Sequence, residues 1–120
     1  MRDRPAGPDL LALVERVENG DPAVTAPADP RYRELLLARA REIAARQSQA
    51  GDGPERREQE ALSRLLGREG SLADLNRALA AAIREGRFDP GATDEDAVRT
   101  HLREATRARV GESNPKALKP

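Results

Sequence analysis

The near absence of aromatic residues limits what this chain can fold into. Among its 120 residues, Tyr32 and Phe88 are the only tyrosine and phenylalanine, and there is no tryptophan or cysteine. The core must therefore be built mostly from leucine, alanine, isoleucine and valine. A chain of this length buries roughly two-thirds of its unfolded surface, so it needs no metal or disulfide to fold. An alanine-rich interior indicates helices that approach closely, or a core that a partner completes.

Apolar residues recur with helical spacing in five segments, and no alternating pattern predicts a strand. We expect an all-α fold, a compact bundle of four to five helices with short loops, forming one helical domain over residues 1–112 with a C-terminal tail over residues 113–120. Start and stop signals give the approximate bounds of the five helices. The first covers Asp9–Glu18, the second runs from its cap Asp29 to Gln49, and the third runs from Pro54 to the stop at Gly67. The fourth runs from its cap Ser71 to the stop at Gly86, and the fifth runs from its cap Thr93 and frays near Val110–Gly111.

The apolar stripes predict which helix faces are buried. Phe88, in the loop after the fourth helix, is expected to fold back onto the bundle. The predicted inner faces are Tyr32, Leu36, Ala40 and Ile43, widened by Leu35 and Ala44, in the second helix, Leu72, Leu75, Leu79, Ala82 and Ile83 in the fourth, and Ala97, Val98, Leu102 and Ala105 in the fifth.

The charges balance, with 21 basic and 21 acidic residues. A neutral chain has no long-range attraction to nucleic acid or to an anionic membrane. The N-terminal residues lack an apolar signal core, and no apolar run approaches the ~20 residues needed to cross a bilayer. We therefore expect a cytoplasmic protein that does not bind a membrane, and the neutral charge disfavours nucleic-acid binding.

No group of residues predicts catalysis. His101 is the only histidine, and no nucleophile or orienting partner accompanies it, so a structural or surface role is favoured. Metal binding by His101 with Glu104 or Asp94 lacks a third protein ligand. No phosphate-binding glycine motif occurs. We expect no catalytic, cofactor or metal site, and hence a protein that is not an enzyme.

Three arginines, Arg99, Arg103 and Arg107, follow one another at four-residue steps in the fifth helix. Like charges at this spacing repel slightly in an isolated helix. They could contact an acidic partner or phosphate groups of a ligand. The favoured interpretation is a solvated face balanced by Glu95 and Glu104.

The run Leu35-Leu36-Leu37 cannot lie on one helix face. At least one leucine must point outward or against a partner, which is typical of an interface. Packing within the same chain explains the run equally well.

The segment from Glu60 to Gly86 has the outline of a helix-turn-helix, which keeps DNA binding as a hypothesis. Only Asn76 and Arg77 could read bases near the start of the second helix, and the neutral charge argues against this function.

Short motifs are spread along most of the chain. They are Arg2-Asp3-Arg4-Pro5, Leu65-Leu66-Gly67, Leu75-Asn76, Leu79-Ala80, Ile83-Arg84-Glu85-Gly86, His101-Leu102-Arg103 and Ser113-Asn114-Pro115-Lys116-Ala117-Leu118. In this order the motifs resemble a small uncharacterised bacterial domain family of unknown function, whose genes often lie beside an aminoglycoside-phosphotransferase-like kinase and an acyl-CoA dehydrogenase.

The resemblance implies a partnership, because members are similar to the small subunit of a kinase that phosphorylates hydroxyacyl-CoA. The kinase would carry the ATP site and the catalytic base. The leading hypothesis is thus a non-catalytic accessory subunit in acyl-CoA catabolism, with Ser113, Asn114 and Pro115 as a possible contact site. A helix-ending turn explains Asn114-Pro115 equally well. The alternative is a helical homodimer with a structural or scaffolding role.

Overall fold

A computed structural model describes all residues, Met1–Pro120. It contains five α-helices, a short 3₁₀-helix and no strand, which confirms the all-α prediction. None of the helices combines the length and the apolar character that spanning a bilayer requires. The elements are α1 (Gly7–Glu18), α2 (Pro30–Ala50), α3 (Gly53–Leu66), α4 (Leu72–Arg84), α5 (Glu95–Ser113) and the 3₁₀-helix (Pro115–Leu118).

Residue contacts divide the chain into two compact units. One contains residues 2–51, and the other contains Met1 with residues 52–120. The separation of a domain over residues 1–112 from a tail at residues 113–120 stays a prediction.

In the first unit α1 packs against α2, with Val14 and Ala44 buried. Helix α1 begins at Gly7, two residues before the predicted start. Pro8 suits the first turn because its missing N–H needs no partner there. The amide of Gly7 donates a 2.7 Å hydrogen bond to the side-chain oxygen of Gln47, which gives one of the first free amides of α1 an acceptor.

Both ends of α2 are held by side chains. At its start Asp29 caps the helix as predicted, because its carboxylate accepts hydrogen bonds from the amides of Arg31 and Tyr32. At its end the guanidinium of Arg2 donates to the carbonyl of Gly51 at 2.6 Å and to that of Gln47 at 3.2 Å. The carbonyl of Gln47 also accepts a 3.0 Å hydrogen bond from the amide of Gly51, so Arg2 adds a second donor there and gives the carbonyl of the C-cap residue Gly51 a partner.

The predicted inner face of α2 is partly wrong. Ala44 is buried as predicted, but Tyr32, Leu35 and Leu36 are exposed, and the polar Gln47 is buried. Apolar residues occur almost all round this helix, so periodicity alone cannot decide which side α1 covers. The bond between Gln47 and Gly7 belongs to the covered side, and a polar residue there is invisible to an apolar stripe.

In the second unit α3 contacts both α4 and α5. Leu62 of α3 and Leu75 of α4 are completely buried. Phe88 is buried with them, which confirms that the loop after α4 folds back. The core cluster consists of Leu62, Leu75, Leu79, Ala82, Phe88 and Val98.

The ends of α4 follow the predicted signals. The hydroxyl of Ser71 accepts a 3.1 Å bond from the amide of Asp74 and donates to its carboxylate at 2.7 Å. Gly86 adopts φ +81°, a left-handed conformation that favours glycine, and follows the last turn. Leu75, Leu79 and Ala82 are buried as predicted, whereas Ile83, at the edge of the same stripe, was predicted to be buried and is exposed.

Helix α5 differs from prediction at its start and on its inner face. Asp94, not Thr93, is the N-cap residue, and no side chain caps the helix. The carboxylate of Glu95 instead accepts a 2.7 Å bond from the amide of Gly91 in the preceding loop. Val98 is buried as predicted and His101 is buried with it, while Ala97 and Leu102, both expected on the inner face, are exposed.

The end of α5 also differs from prediction. The helix does not fray near Val110–Gly111 but continues to Ser113. The 3₁₀-helix that follows contacts α5. Leu118 of this 3₁₀-helix lies beside Gly111. The Cδ1 methyl group of Leu118 is 3.8 Å from the position that a Cβ atom on Gly111 would occupy. This packing gives the last turn of α5 apolar contacts that the sequence pattern does not show.

Candidate functional site

A groove lies between α3 and α5, with a volume of about 410 Å³. Most of its exposed lining surface is apolar, although five of its eight lining residues are polar or charged. We call it the α3–α5 groove, and it is lined by Ala61, Arg64 and Leu65 of α3 and by Asp96, Ala97, Thr100, His101 and Glu104 of α5.

His101 is the most buried polar side chain of this groove, with 7% of its surface exposed. Its ring forms no hydrogen bond with the rest of the protein. Every completely buried side-chain nitrogen or oxygen in the structure has a hydrogen-bond partner, so the nitrogens of this ring are not completely buried. The ring nitrogens are therefore accessible from the groove. Burial lowers the pKa of His101, Glu104 opposes this shift, and the amino group of Met1 acts in the same direction as burial. The imidazole is thus neutral at pH 7.

Three charged side chains surround His101 in the groove. Asp96 and Glu104 come from α5 and Arg64 comes from α3, and all three are exposed. None of them forms an ion pair within the protein. The structure contains no group of three or more histidine, cysteine, aspartate or glutamate side chains arranged to hold a metal ion.

The predicted arginine row is exposed along α5. Arg99 pairs with Glu95 at 2.6 Å, in the manner of a solvated, balanced helix face. Arg103 and Arg107 form no ion pair within the protein, and Glu104 does not neutralise either of them. A contact of this row with a partner or an anion stays a prediction.

The second predicted contact site, Ser113 to Pro115, is the junction between α5 and the 3₁₀-helix. Ser113 is the last residue of α5, and the amide of Asn114 donates to the carbonyl of Val110 at 2.7 Å. Pro115 then opens the 3₁₀-helix. These residues form the turn that the sequence indicates, and their role in binding a partner stays a prediction.

Three large apolar side chains are exposed near the beginning of α2, and we call them the α2 patch. They are Tyr32, Leu35 and Leu36, which are 53%, 62% and 42% exposed. Residues three and four positions apart lie side by side on a helix, so these side chains form one surface. The consecutive leucines predicted at least one outward side chain. The structure turns two outward and leaves Leu37 half-buried.

The proposed base-reading residues of a helix-turn-helix are engaged within the protein. The amide of Asn76 donates to the carboxylate of Glu58 and to the carbonyl of Leu72, both at 3.1 Å. Arg77 pairs with Asp74 at 2.5 Å. Reading a base edge would require these bonds to break, so the geometry gives DNA binding no support.

Comparison with known proteins places most of the chain in one family. No curated protein and no solved structure matches it. A family model described as "Domain of unknown function (DUF6285)" matches residues 22–117, a range that includes the α2 patch and the α3–α5 groove. The chain therefore belongs to the DUF6285 family of domains of unknown function.

Proposed function

We propose that this protein is a non-catalytic accessory subunit that binds a protein partner through the α2 patch. The partner implied by the family resemblance is a phosphotransferase-type kinase that acts on hydroxyacyl-CoA in the catabolism of acyl-CoA. The exposure of Tyr32, Leu35 and Leu36 on one side of α2 is the observation that carries this proposal.

The α2 patch has the composition of an interface. Covering apolar surface is favourable by about 25 cal/mol per Å². Tyrosine is enriched among the residues that dominate binding energy, because it combines a large apolar ring with a polar hydroxyl. Exposed Arg31 and Arg39 lie on the same helix, and such charged groups commonly form the rim of an interface.

In this proposal the two proteins divide the work. The kinase supplies the ATP site and the catalytic base, as the resemblance implies. The present chain stabilises the kinase or shapes its acyl-CoA pocket, and the complex acts in the cytoplasm. This division requires a stable contact and no reacting group on this chain.

Co-expression with the adjacent phosphotransferase-like kinase tests the proposal, with one protein tagged and the eluate resolved by size exclusion. We expect a complex with the wild-type protein and with Leu102→Glu, and loss of the complex with Leu35→Glu. Leu102 is a matched control because it is an exposed leucine on a different helix, α5, and is not part of the α2 patch. Separate elution of the folded wild-type proteins would contradict the proposal.

The same patch supports a second candidate, a homodimer with a scaffolding role. Two copies meeting through Leu35 and Leu36 would each cover the other's apolar surface. Sedimentation velocity distinguishes the candidates, because a homodimer shows a concentration-dependent increase in mass without the kinase. Leu35→Glu would then return the protein to a monomer.

A further inference from the structure

We propose that the α3–α5 groove binds a basic side chain, arginine or lysine, presented by a protein partner. This site is separate from the α2 patch and does not rest on the identity of the kinase. Three features of the groove carry the proposal: a buried imidazole without a hydrogen bond, an apolar wall, and an excess of negative charge.

The buried imidazole provides a hydrogen-bond acceptor. His101 is more than nine-tenths buried, lines the groove and bonds to no other group of the protein. A neutral imidazole has one nitrogen that accepts a hydrogen bond. The N–H groups of a guanidinium or an ammonium are donors only, so they are suitable partners for this nitrogen. Such a bond would give the accessible ring nitrogen a partner that this chain itself does not supply.

The apolar wall suits the stem of a long basic side chain. Ala61 and Leu65 contribute apolar surface from α3, and Ala97 contributes it from α5. Arginine and lysine bury their methylene groups along such surfaces while the charged end reaches polar groups. A volume of about 410 Å³ accommodates one such side chain with part of its backbone.

The charge of the groove selects a cation. Asp96 and Glu104 are carboxylates without an ion pair, and Arg64 is the one cationic residue of the lining. With His101 neutral, the lining has a net charge of about −1, which attracts positive groups. Glu104 lies one turn from Thr100 and two turns from Asp96 along α5, so all three lie on the same side of that helix. Arg64 belongs to α3 and repels a bound cation.

The unique histidine makes binding directly measurable. N-acetyl-arginine methylamide serves as the probe, and the imidazole resonances of His101 are followed by NMR in the intact protein. We expect a saturable shift with a dissociation constant on the order of millimolar, as befits a single side chain. N-acetyl-citrulline methylamide has nearly the same shape without the charge and should bind more weakly. Equal binding of the two probes, or no shift at tens of millimolar, would overturn the proposal.

Two substitutions that change the charge of the groove in opposite directions make the test more specific. Glu104→Gln should weaken binding of the arginine probe about two- to fivefold, the range for an exposed ion pair. Arg64→Gln should strengthen it by a similar factor, because a like charge is removed. Glu85→Gln, an exposed position outside the groove, is the matched control and should leave binding unchanged.

Weaker binding to Arg64→Gln would show that the groove prefers an anion and would overturn the proposal. All three variants replace exposed side chains, so their unfolding midpoints should match that of the wild-type protein. This readout separates a change in the groove from a change in folding.

Discussion

The side-chain oxygen of Gln47 accepts a 2.7 Å hydrogen bond from the backbone amide of Gly7, so a residue near the end of α2 caps the beginning of α1. Ala6, the N-cap residue of α1, offers no side-chain acceptor. The two helices of the first unit are thereby joined by a polar contact as well as by apolar packing. This relationship explains why a glutamine is buried in an otherwise apolar contact.

Replacing Gln47 by leucine should lower the free energy of unfolding by about 1–3 kcal/mol, because the amide of Gly7 loses its acceptor. Gln49→Leu is the control, since Gln49 is exposed on the same helix. Urea denaturation followed by circular dichroism measures both. Equal midpoints for the two variants would show that the Gln47 bond contributes nothing.

Truncation of the core should have a larger effect. Leu75→Ala removes a completely buried side chain and should cost about 2–5 kcal/mol of unfolding free energy. Leu35→Ala, at an exposed position of α2, should change it by less than about 0.5 kcal/mol. Thermal unfolding of the two variants compares them. A large loss for Leu35→Ala would mean that the α2 patch is a structural part of the monomer.

The cap of α4 gives a third prediction. Ser71→Ala removes the acceptor for the amide of Asp74 and should destabilise the protein by about 1 kcal/mol. Ser48→Ala, on the exposed surface within α2, is the control and should be neutral or slightly stabilising, because alanine favours a helix. Chemical denaturation of the pair provides the comparison. No difference between them would contradict the capping role.

His101 predicts how stability depends on pH. Its pKa is lower in the folded state than the value of about 6.5 in an unfolded chain. The unfolded state therefore binds a proton more readily than the folded state does. As a result, the free energy of unfolding falls as the pH decreases from about 6.5 through the pKa of the folded state. The charged residues that line the groove with His101 are Asp96 and Glu104 on α5 and Arg64 on α3, and the amino group of Met1 also lowers the pKa of the ring.

The matched variant is His101→Leu, which should show a flatter dependence of the unfolding midpoint between pH 7.5 and pH 5. An NMR titration of the ring should give a midpoint below that of a free histidine. A midpoint above it would show that Glu104 outweighs burial and would reverse the predicted slope.

Local signals predicted the helices well. Asp29, Ser71, Gly67 and Gly86 mark helix ends in the sequence and in the structure, because caps and left-handed turns depend on neighbouring residues. The inner faces were harder to predict. Gln47 and His101 are buried although they are polar, and Leu102 is exposed although it is apolar. These positions depend on contacts between helices that are distant in sequence.

Of the two candidate sites, the sequence indicated one and did not indicate the other. The run of three leucines pointed to the α2 patch, since geometry forbids all three from sharing a face. The α3–α5 groove was missed, because Arg64 and Glu104 are far apart in the chain and meet only when α3 packs against α5. The lone histidine was the single visible signal of that groove.

The affinity of Leu35→Glu for the proposed kinase partner, relative to that of Leu102→Glu, tests the central proposal most directly. Isothermal titration calorimetry with the purified kinase measures both. We expect at least a tenfold weaker affinity for Leu35→Glu, the effect of placing a charge at an interface centre, and an unchanged affinity for Leu102→Glu. Equal affinities for the two variants, or no heat of binding with the wild-type protein, would contradict the claim that the α2 patch docks a partner.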